Sequence, residues 1–534
     1  MSTLNPAGRG RKPADPIIDD PKRRRAILLA VCIALMAVIA AVSGLNVAQP
    51  QMAVALNGSQ ADVLWIINIY AIALAALLLP LGAVGDRWGR KPVLVVGLLV
   101  FGIANIASGA AGSVPVMLGA RLLAGIGAAM IMPVTLSVIT SAFPPDERSK
   151  AIGIWTGVAG GGGIIGMFLS ALLVDVLDWR WLFVLPVVLV LFAAILSIRA
   201  IPNSREHAEH RFDLGGAVLA AVAVVGLILF LHEGPEQGWL ASITLAGLLF
   251  GGAAATGFVA WELRHPAPLL DIRLFGQRGL TSGSVTLLVW FGVQAGVFVV
   301  LFPFFQAVLG WSGLLSTLGL MPMALLMMVS SGLAPHVARR LGQRLTMAAG
   351  LLLGGTGLGL MALLVSVEGG YLGVLPGMIA MGLGMGLSMT PSTEAITSSL
   401  PAERQGVASA LNDVTREFGT SLGVALLGAV FSAGYVAAIG PRLAGIPEAA
   451  AAAAGKGIAG ALVEARGGET YAAGLYRAAQ DAFVEAWQQA MWAGVLVMAV
   501  LLVFVLWRGP QTSREAVARP GARDTAGTAL LPPP

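Results

Sequence analysis

Fourteen stretches of this chain stay apolar for about twenty residues or more, and that recurring length decides most of what the chain can fold into. A hydrocarbon layer about 30 Å thick takes about 20 helical residues to cross. Within it each segment must satisfy its own backbone N–H and C=O groups, which a helix does. The stretches lie near 26–49, 63–84, 92–111, 115–140, 151–174, 181–199, 213–232, 240–262, 280–309, 313–338, 346–366, 371–397, 406–435 and 487–507. Hydrophobic residues make up 57% of the 534 and charged ones 11%, against about 25% charged in soluble domains. An all-α integral membrane protein is the expected class. The first run follows Lys22, Arg23, Arg24 and Arg25 and is longer than the roughly 7 to 15 residues of a secretory signal core, so it reads as a retained span. One cysteine, Cys32, and five histidines offer neither a disulfide framework nor the ligands of a structural metal, so no cofactor is expected.

Alternate connections differ in charge. "GDRWGRKP", "PPDERSK", "RAIPNSREHAEHR", "ELRHPAPLLDIRLFGQR", "HVARRLGQR" and "PAERQ" alternate with short connections whose one basic residue is Arg180. Short cytoplasmic loops retain Lys and Arg, so the basic set and both termini are expected inside.

Residues 81–99, "LGAVGDRWGRKPVLVVGLL", superpose on 334–352, "APHVARRLGQRLTMAAGLL", aligning Arg87 with Arg340, Gly89 with Gly342 and Gly97 with Gly350. A second pair, 133–148 and 391–404, ends in Glu-Arg in both copies. The repeat matches spans 1–6 with spans 9–14 and leaves 7 and 8 as an inserted pair. The expected organisation is a cytoplasmic tail (1–25), a six-helix bundle (26–200), the inserted spans with their connectors (201–279), a second six-helix bundle (280–435 and 487–507) around a long external loop (436–486), and a cytoplasmic tail (508–534). "EAAAAAAGKGIAGALVEA" in that loop is open between a surface helix and disorder. Repeated bundles place a substrate site at mid-membrane between them and allow one to rock against the other.

These residues resemble the major facilitator superfamily, and within it the fourteen-span drug:proton antiporter branch of quaternary-ammonium and multidrug exporters. "GAVGDRWGRK", 82–91, fits the loop signature G-x-x-x-D-R-x-G-R-K at every fixed position, and "LGARLLAGIG" carries Arg121 where the family has its fourth-span arginine. "DWRWLFVLP" and "FDLGGAVLAAVAVVGLILFLHEGPEQGW" resemble the branch's segments opening spans 6 and 7. The chain departs from the branch at Ala41 and Asn68, where acids are usual in spans 1 and 2, and at Met167, Ser170 and Ala171 in the fifth-span motif. A desolvated cation prefers a carboxylate, so the missing acids point to neutral or weakly charged substrates.

The resemblance implies a conformational latch at Gly82, Asp86, Arg87, Gly89, Arg90 and Lys91, with Asp86 at the positive N-terminal end of span 13 and Arg90 paired with Asp146 or Glu147. Arg121, about two turns inside span 4, needs a partner or water, because an idle guanidinium in the membrane costs several kcal/mol. In "ALNDVTREFGTSLG" Asp413 falls about 10 Å and Glu417 about 16 Å into span 13. They share a face, with Arg416 three residues from Asp413. One arginine can neutralise one of two carboxylates, which makes the trio a candidate carrier of one proton, gated by Arg121. Asn46, Gln49, Asn68, Gln294 and Gln306 are candidate polar groups of a mostly apolar substrate cavity, joined by Glu394 as a gate residue near the inner end of span 12.

No G-x-x-x-x-G-K-[ST] phosphate loop occurs, so the proton gradient is the expected energy source, and the absence of a nucleophile elbow or metal cluster argues against an enzyme. The expected protein is a monomeric secondary transporter of the bacterial plasma membrane. It exports small amphipathic drugs or antibiotics by proton antiport, and its partners are the substrate and the bilayer, with no nucleic acid. The alternative is a symporter or uniporter of a small metabolite.

Overall fold

The computed structural model describes residues 17–204, 212–465 and 471–510. Among them fourteen helices are long and apolar enough to cross a membrane. The first six are α1 (Pro21–Ser43), α2 (Gln60–Trp88), α3 (Arg90–Gly109), α4 (Val114–Ala142), α5 (Pro145–Val176) and α6 (Val184–Ala200). Then come α7 (Leu214–Gln237) and α8 (Ser242–Glu262). The last six are α9 (Arg278–Pro303), α10 (Gly313–Leu341), α11 (Gln343–Leu364), α12 (Gly370–Ser398), α13 (Gln405–Ile439) and α14 (Ala472–Arg508). The chain is a multi-pass, all-helical membrane protein.

Local chemistry sets several of these boundaries. Ser59 and Asp62 form a reciprocal capping box that opens α2, and Asp213 caps α7 by accepting the Gly216 N–H. Gly89 ends α2 at φ 112° and Gly342 ends α10 at φ 86°, a backbone conformation glycine adopts without a Cβ clash. These glycines are partners in the sequence repeat, so the repeat is written into the turn geometry as well as the composition.

Packing repeats in the same way. In the first bundle α2 and α3 lie against α4, α1 against α5 and α6, and α3 against α6; in the second, α10 and α11 lie against α12, α9 against α13 and α14, and α11 against α14. The bundles meet along two seams related by the same correspondence, α2 with α13 and α5 with α10. Glycines let the α5 seam close: a Cβ on Gly153 would lie 2.7 Å from the Ser331 carbonyl oxygen, and one on Gly161 would lie 2.6 Å from the Met328 side chain. The inserted pair covers the other seam. Ala75, Val224 and Ile228 pack with Ile72, Val414 and Phe418, joining α2, α7 and α13.

Two boundaries differ from the sequence reading, and one segment that it left open takes a definite form. The first apolar run, read to 49, breaks at Gly44 and continues as a short helix, Leu45–Ala55; Gly44 lies so close to Ser170 that a Cβ there would sit 2.6 Å from its hydroxyl. The last span, read from 487, starts at Ala472, since Leu475, Ala479, Ala482, Phe483 and Ala486 recur at helical spacing and are buried. The loop between α13 and α14 contains two short helices, Glu448–Gly455 and Ile458–Ala465. They pack through Ala450, Ala454, Ile458 and Ala461, and the Tyr435 hydroxyl donates to the Ala454 carbonyl at 3.0 Å.

Candidate functional site

Charge inside the bundles gathers along the α2–α13 contact. At one end Asp86, 1% exposed, sits on the first turn of α13. The Gly406 N–H reaches both of its oxygens at 2.8 Å, and the Val407 N–H donates to Oδ2 at 3.1 Å. Unsatisfied N–H groups and the helix dipole make a helix N-terminus a good seat for a carboxylate. The backbones touch beside it, a Cβ on Gly82 falling 2.6 Å from the Gly406 carbonyl oxygen. Arg90 donates through Nε and Nη2 to Asp86 Oδ1 at 3.2 and 2.9 Å, and Nη2 also reaches the Ala402 carbonyl across the seam.

Arg90 was expected to pair with Asp146 or Glu147, and its carboxylate is instead Asp86, four residues back across the turn at Gly89. Glu147 meets Arg24 at 2.9 Å. Lys91 donates to the Ile198 carbonyl, fastening α3 to α6, while Arg87 stays half-buried at the end of α2.

Two turns further into α13, Asp413 is fully buried. Its Oδ1 accepts from Asn412 at 3.1 Å and stands 3.5 Å from Arg416 Nη1, while Oδ2 has no donor among the described residues. Arg416 crosses to the other bundle, where Nη2 donates to the Ala159 carbonyl of α5 at 3.3 Å and the guanidinium lies 5.6 Å from Trp155, while Phe291 of α9, in its own bundle, lies 4.4 Å away on the guanidinium. Glu417, partly exposed, is an electrostatic neighbour of Arg416 and Asp413, so one arginine serves two carboxyl groups.

Arg121 comes to the same place from α4. It is 1% exposed, its guanidinium is 4.2 Å from the centre of the Tyr70 ring, and Nε and Nη1 find no acceptor among the described residues. The Tyr70 hydroxyl is also buried without a partner among the described residues, and Glu417 is its electrostatic neighbour from α13. Tyr70 therefore lies against Arg121 and within the electrostatic reach of Glu417. Sequence reasoning passed over Tyr70, although "WIINIY" keeps the tyrosine of the span-2 pattern. It also passed over Trp155 and Phe291, which nothing in the linear pattern links to Arg416.

The uncharged candidates lie on four elements. Gln294 is buried on α9 and Asn68 half-buried on α2, and Gln49 sits on the short helix Leu45–Ala55; the side chain of Asn46 lies outside the described ones. Gln306 is exposed in a π-turn, Phe304–Val308, that follows α9. Glu394 is at the opposite end of the second bundle, where it accepts from the Ser149 hydroxyl of α5 and so bridges the other seam.

The sequence model of the Major Facilitator Superfamily matches residues 31–424. The multidrug resistance protein Stp of Mycobacterium tuberculosis is 31% identical over 399 residues, 74% of this chain and 74% of that one. The tetracenomycin C resistance and export protein of Streptomyces glaucescens is 33% identical over 407 residues, 76% of this chain and 75% of that one. Among solved structures, the human organic anion transporter MFSD10 (TETRAN) superposes with a TM-score of 0.57 at 14% identity, over 90% of this chain and all of that one, which is a likeness of fold.

Proposed function

The chain belongs to the major facilitator superfamily, a family of membrane transporters of small substrates, and from that membership we propose that it exports small amphipathic drugs or antibiotics across the bacterial plasma membrane in exchange for protons. The basic connections and both termini face the cytoplasm in this reading. The Asp86–Gly406 contact is then a cytoplasmic latch that closes the inner side and must break for the transporter to open inward.

One observation carries the coupling: Asp413, Arg416 and Glu417 are two carboxyl groups and one guanidinium on a buried bundle interface. With Glu417 protonated the trio is neutral. Without that proton it carries a net negative charge, which is costly in low dielectric. Arg416 also holds the Ala159 carbonyl across the seam, so a change of charge on its neighbours changes a contact between the bundles. The empty, deprotonated carrier is held back by that charge, whereas a proton, or a substrate bringing hydrogen-bond donors or a weak positive charge, releases it. Exchange of one for the other follows.

Support for drugs as the cargo comes from relatives whose names state drug resistance or export, together with the apolar walls around the charged groups. The test is efflux from proteoliposomes against a panel of amphipathic dyes and antibiotics under an imposed pH gradient. Acidifying the compartment that the compound leaves for should drive export in the wild type and not in Glu417→Gln. Equal driven efflux in both removes the carrier role, and compound movement without proton counterflow removes antiport.

A further inference from the structure

At the end of the first bundle remote from the latch, on its lipid-facing side, α3 and α6 enclose a cleft of about 330 Å³. Its walls are Ile106, Phe183 and Val184, and its mouth carries Arg180 and Trp181. Ile106 and Trp181 are about half exposed, at 59% and 47%, so the cleft opens to the bilayer and its mouth lies at the depth where interfacial aromatic residues collect.

One polar atom of the cleft has no partner among the described residues, and one cation at its mouth has only a loose one. Asn105 lines it about 6 Å below the end of α3. Its Nδ2 donates to the Phe101 carbonyl at 2.7 Å, leaving Oδ1 fully buried with no donor among the described residues. A buried carbonyl without a donor is a cost that something in this space should relieve. Arg180, 44% exposed, stands 3.8 Å from Asp178, too far and too wet for a strong pair, and lies 4.6 Å over the Trp179 ring, which holds the guanidinium at the mouth.

A cation at the rim, an acceptor at the floor and hydrocarbon walls between them describe a ligand with an anionic group, a hydroxyl donor and an alkyl chain. We propose that the cleft is a phospholipid site selective for phosphatidylglycerol: the phosphodiester on Arg180, a headgroup hydroxyl donated to Asn105 Oδ1, and an acyl chain along Ile106 and Val184. Phosphatidylcholine has no donor for Asn105. Phosphatidylethanolamine has donors, but its ammonium would have to leave water for an apolar floor, and it brings no net charge to match the arginine. The leaflet is the outer one if the orientation proposed above holds; the site itself does not depend on transport.

Delipidated full-length protein in detergent, titrated with each lipid of matched chains and followed by native mass spectrometry and thermal unfolding, tests this. Phosphatidylglycerol should give a discrete single adduct and raise the unfolding temperature, binding about ten-fold tighter than phosphatidylcholine. Arg180→Gln should weaken it about ten-fold. Asn105→Leu should bring the two lipids within about two-fold, while leaving lipid-free stability equal or higher because the orphan carbonyl is gone. The proposal is overturned if either of the other two lipids binds as tightly as phosphatidylglycerol, or if both variants keep the wild-type preference.

Discussion

Asp86 and Gly406 lie 320 residues apart in the chain and belong to opposite bundles, yet the Gly406 N–H points between both oxygens of the Asp86 carboxylate at 2.8 Å. A charge on a helix terminus and a glycine that lets the backbones touch are thus one contact. It can be made or broken as a unit.

Asp86→Asn should loosen that contact by about 2 kcal/mol, since a neutral amide loses the charge-assisted part of three N–H interactions and the dipole term. The inward-open population then rises about thirty-fold. Labelling of a cysteine placed at Ala410 by a cytoplasmic thiol reagent should speed up accordingly, and an unchanged rate would argue that the contact is not what closes this end.

Gly406→Ala attacks the same closure sterically. Its Cβ would fall 2.3 Å from the Gly82 carbonyl oxygen and 2.8 Å from Asp86, both on the facing helix with little room to yield. The variant should fold, since α13 accepts alanine, but fail to close. Loss of transport with retained thermal stability is the expected pair of readings.

Asp413→Asn removes the carboxylate nearest Arg416 and leaves only Glu417 near it, and losing one member of a buried pair costs up to about 3 to 5 kcal/mol. Poor yield of folded protein is expected. The double variant Asp413→Asn with Arg416→Met should recover much of that yield while remaining inactive in driven efflux. If the single variant is as stable as wild type, the two groups do not depend on each other.

Arg121→Lys keeps the charge and gives up the planar face that lies over Tyr70. Tyr70→Phe keeps the ring and removes the partnerless hydroxyl, so it should be neutral or slightly stabilising in thermal unfolding. Driven efflux should fall in the lysine variant. In the phenylalanine variant it falls only if the hydroxyl takes part in proton movement between Arg121 and Glu417, and efflux assays on the pair separate ring from hydroxyl.

The inserted hairpin depends on backbone contact. A Cβ on Gly226 would lie 2.5 Å from the Gly251 Cα, so Gly226→Leu must push α7 and α8 apart at a cost above the roughly 1 to 3 kcal/mol of ordinary overpacking. Because α7 also covers the α2–α13 seam, the variant should lower the unfolding temperature of the whole protein. A change limited to local protease sensitivity near α8 would show the hairpin to be an independent appendage.

By itself the sequence determined the number of spans and the all-helical membrane class, and it carries the repeat that ties the turn at Gly89 to the turn at Gly342. Span length, charge in a loop and a glycine at a turn are properties of a few consecutive residues, and the cost of a polar group in hydrocarbon makes them binding. Only the tertiary structure decided who meets whom. Arg90 takes Asp86, Arg121 lies on Tyr70, Arg416 reaches Ala159 and Trp155 on α5, Glu394 meets Ser149, and the segment after α13 folds into short helices against the second bundle. All but the first join parts of the chain far apart in sequence, at positions set by how glycine notches and side-chain volumes let the helices pack. That information is spread over the whole chain, and no short stretch of residues contains it.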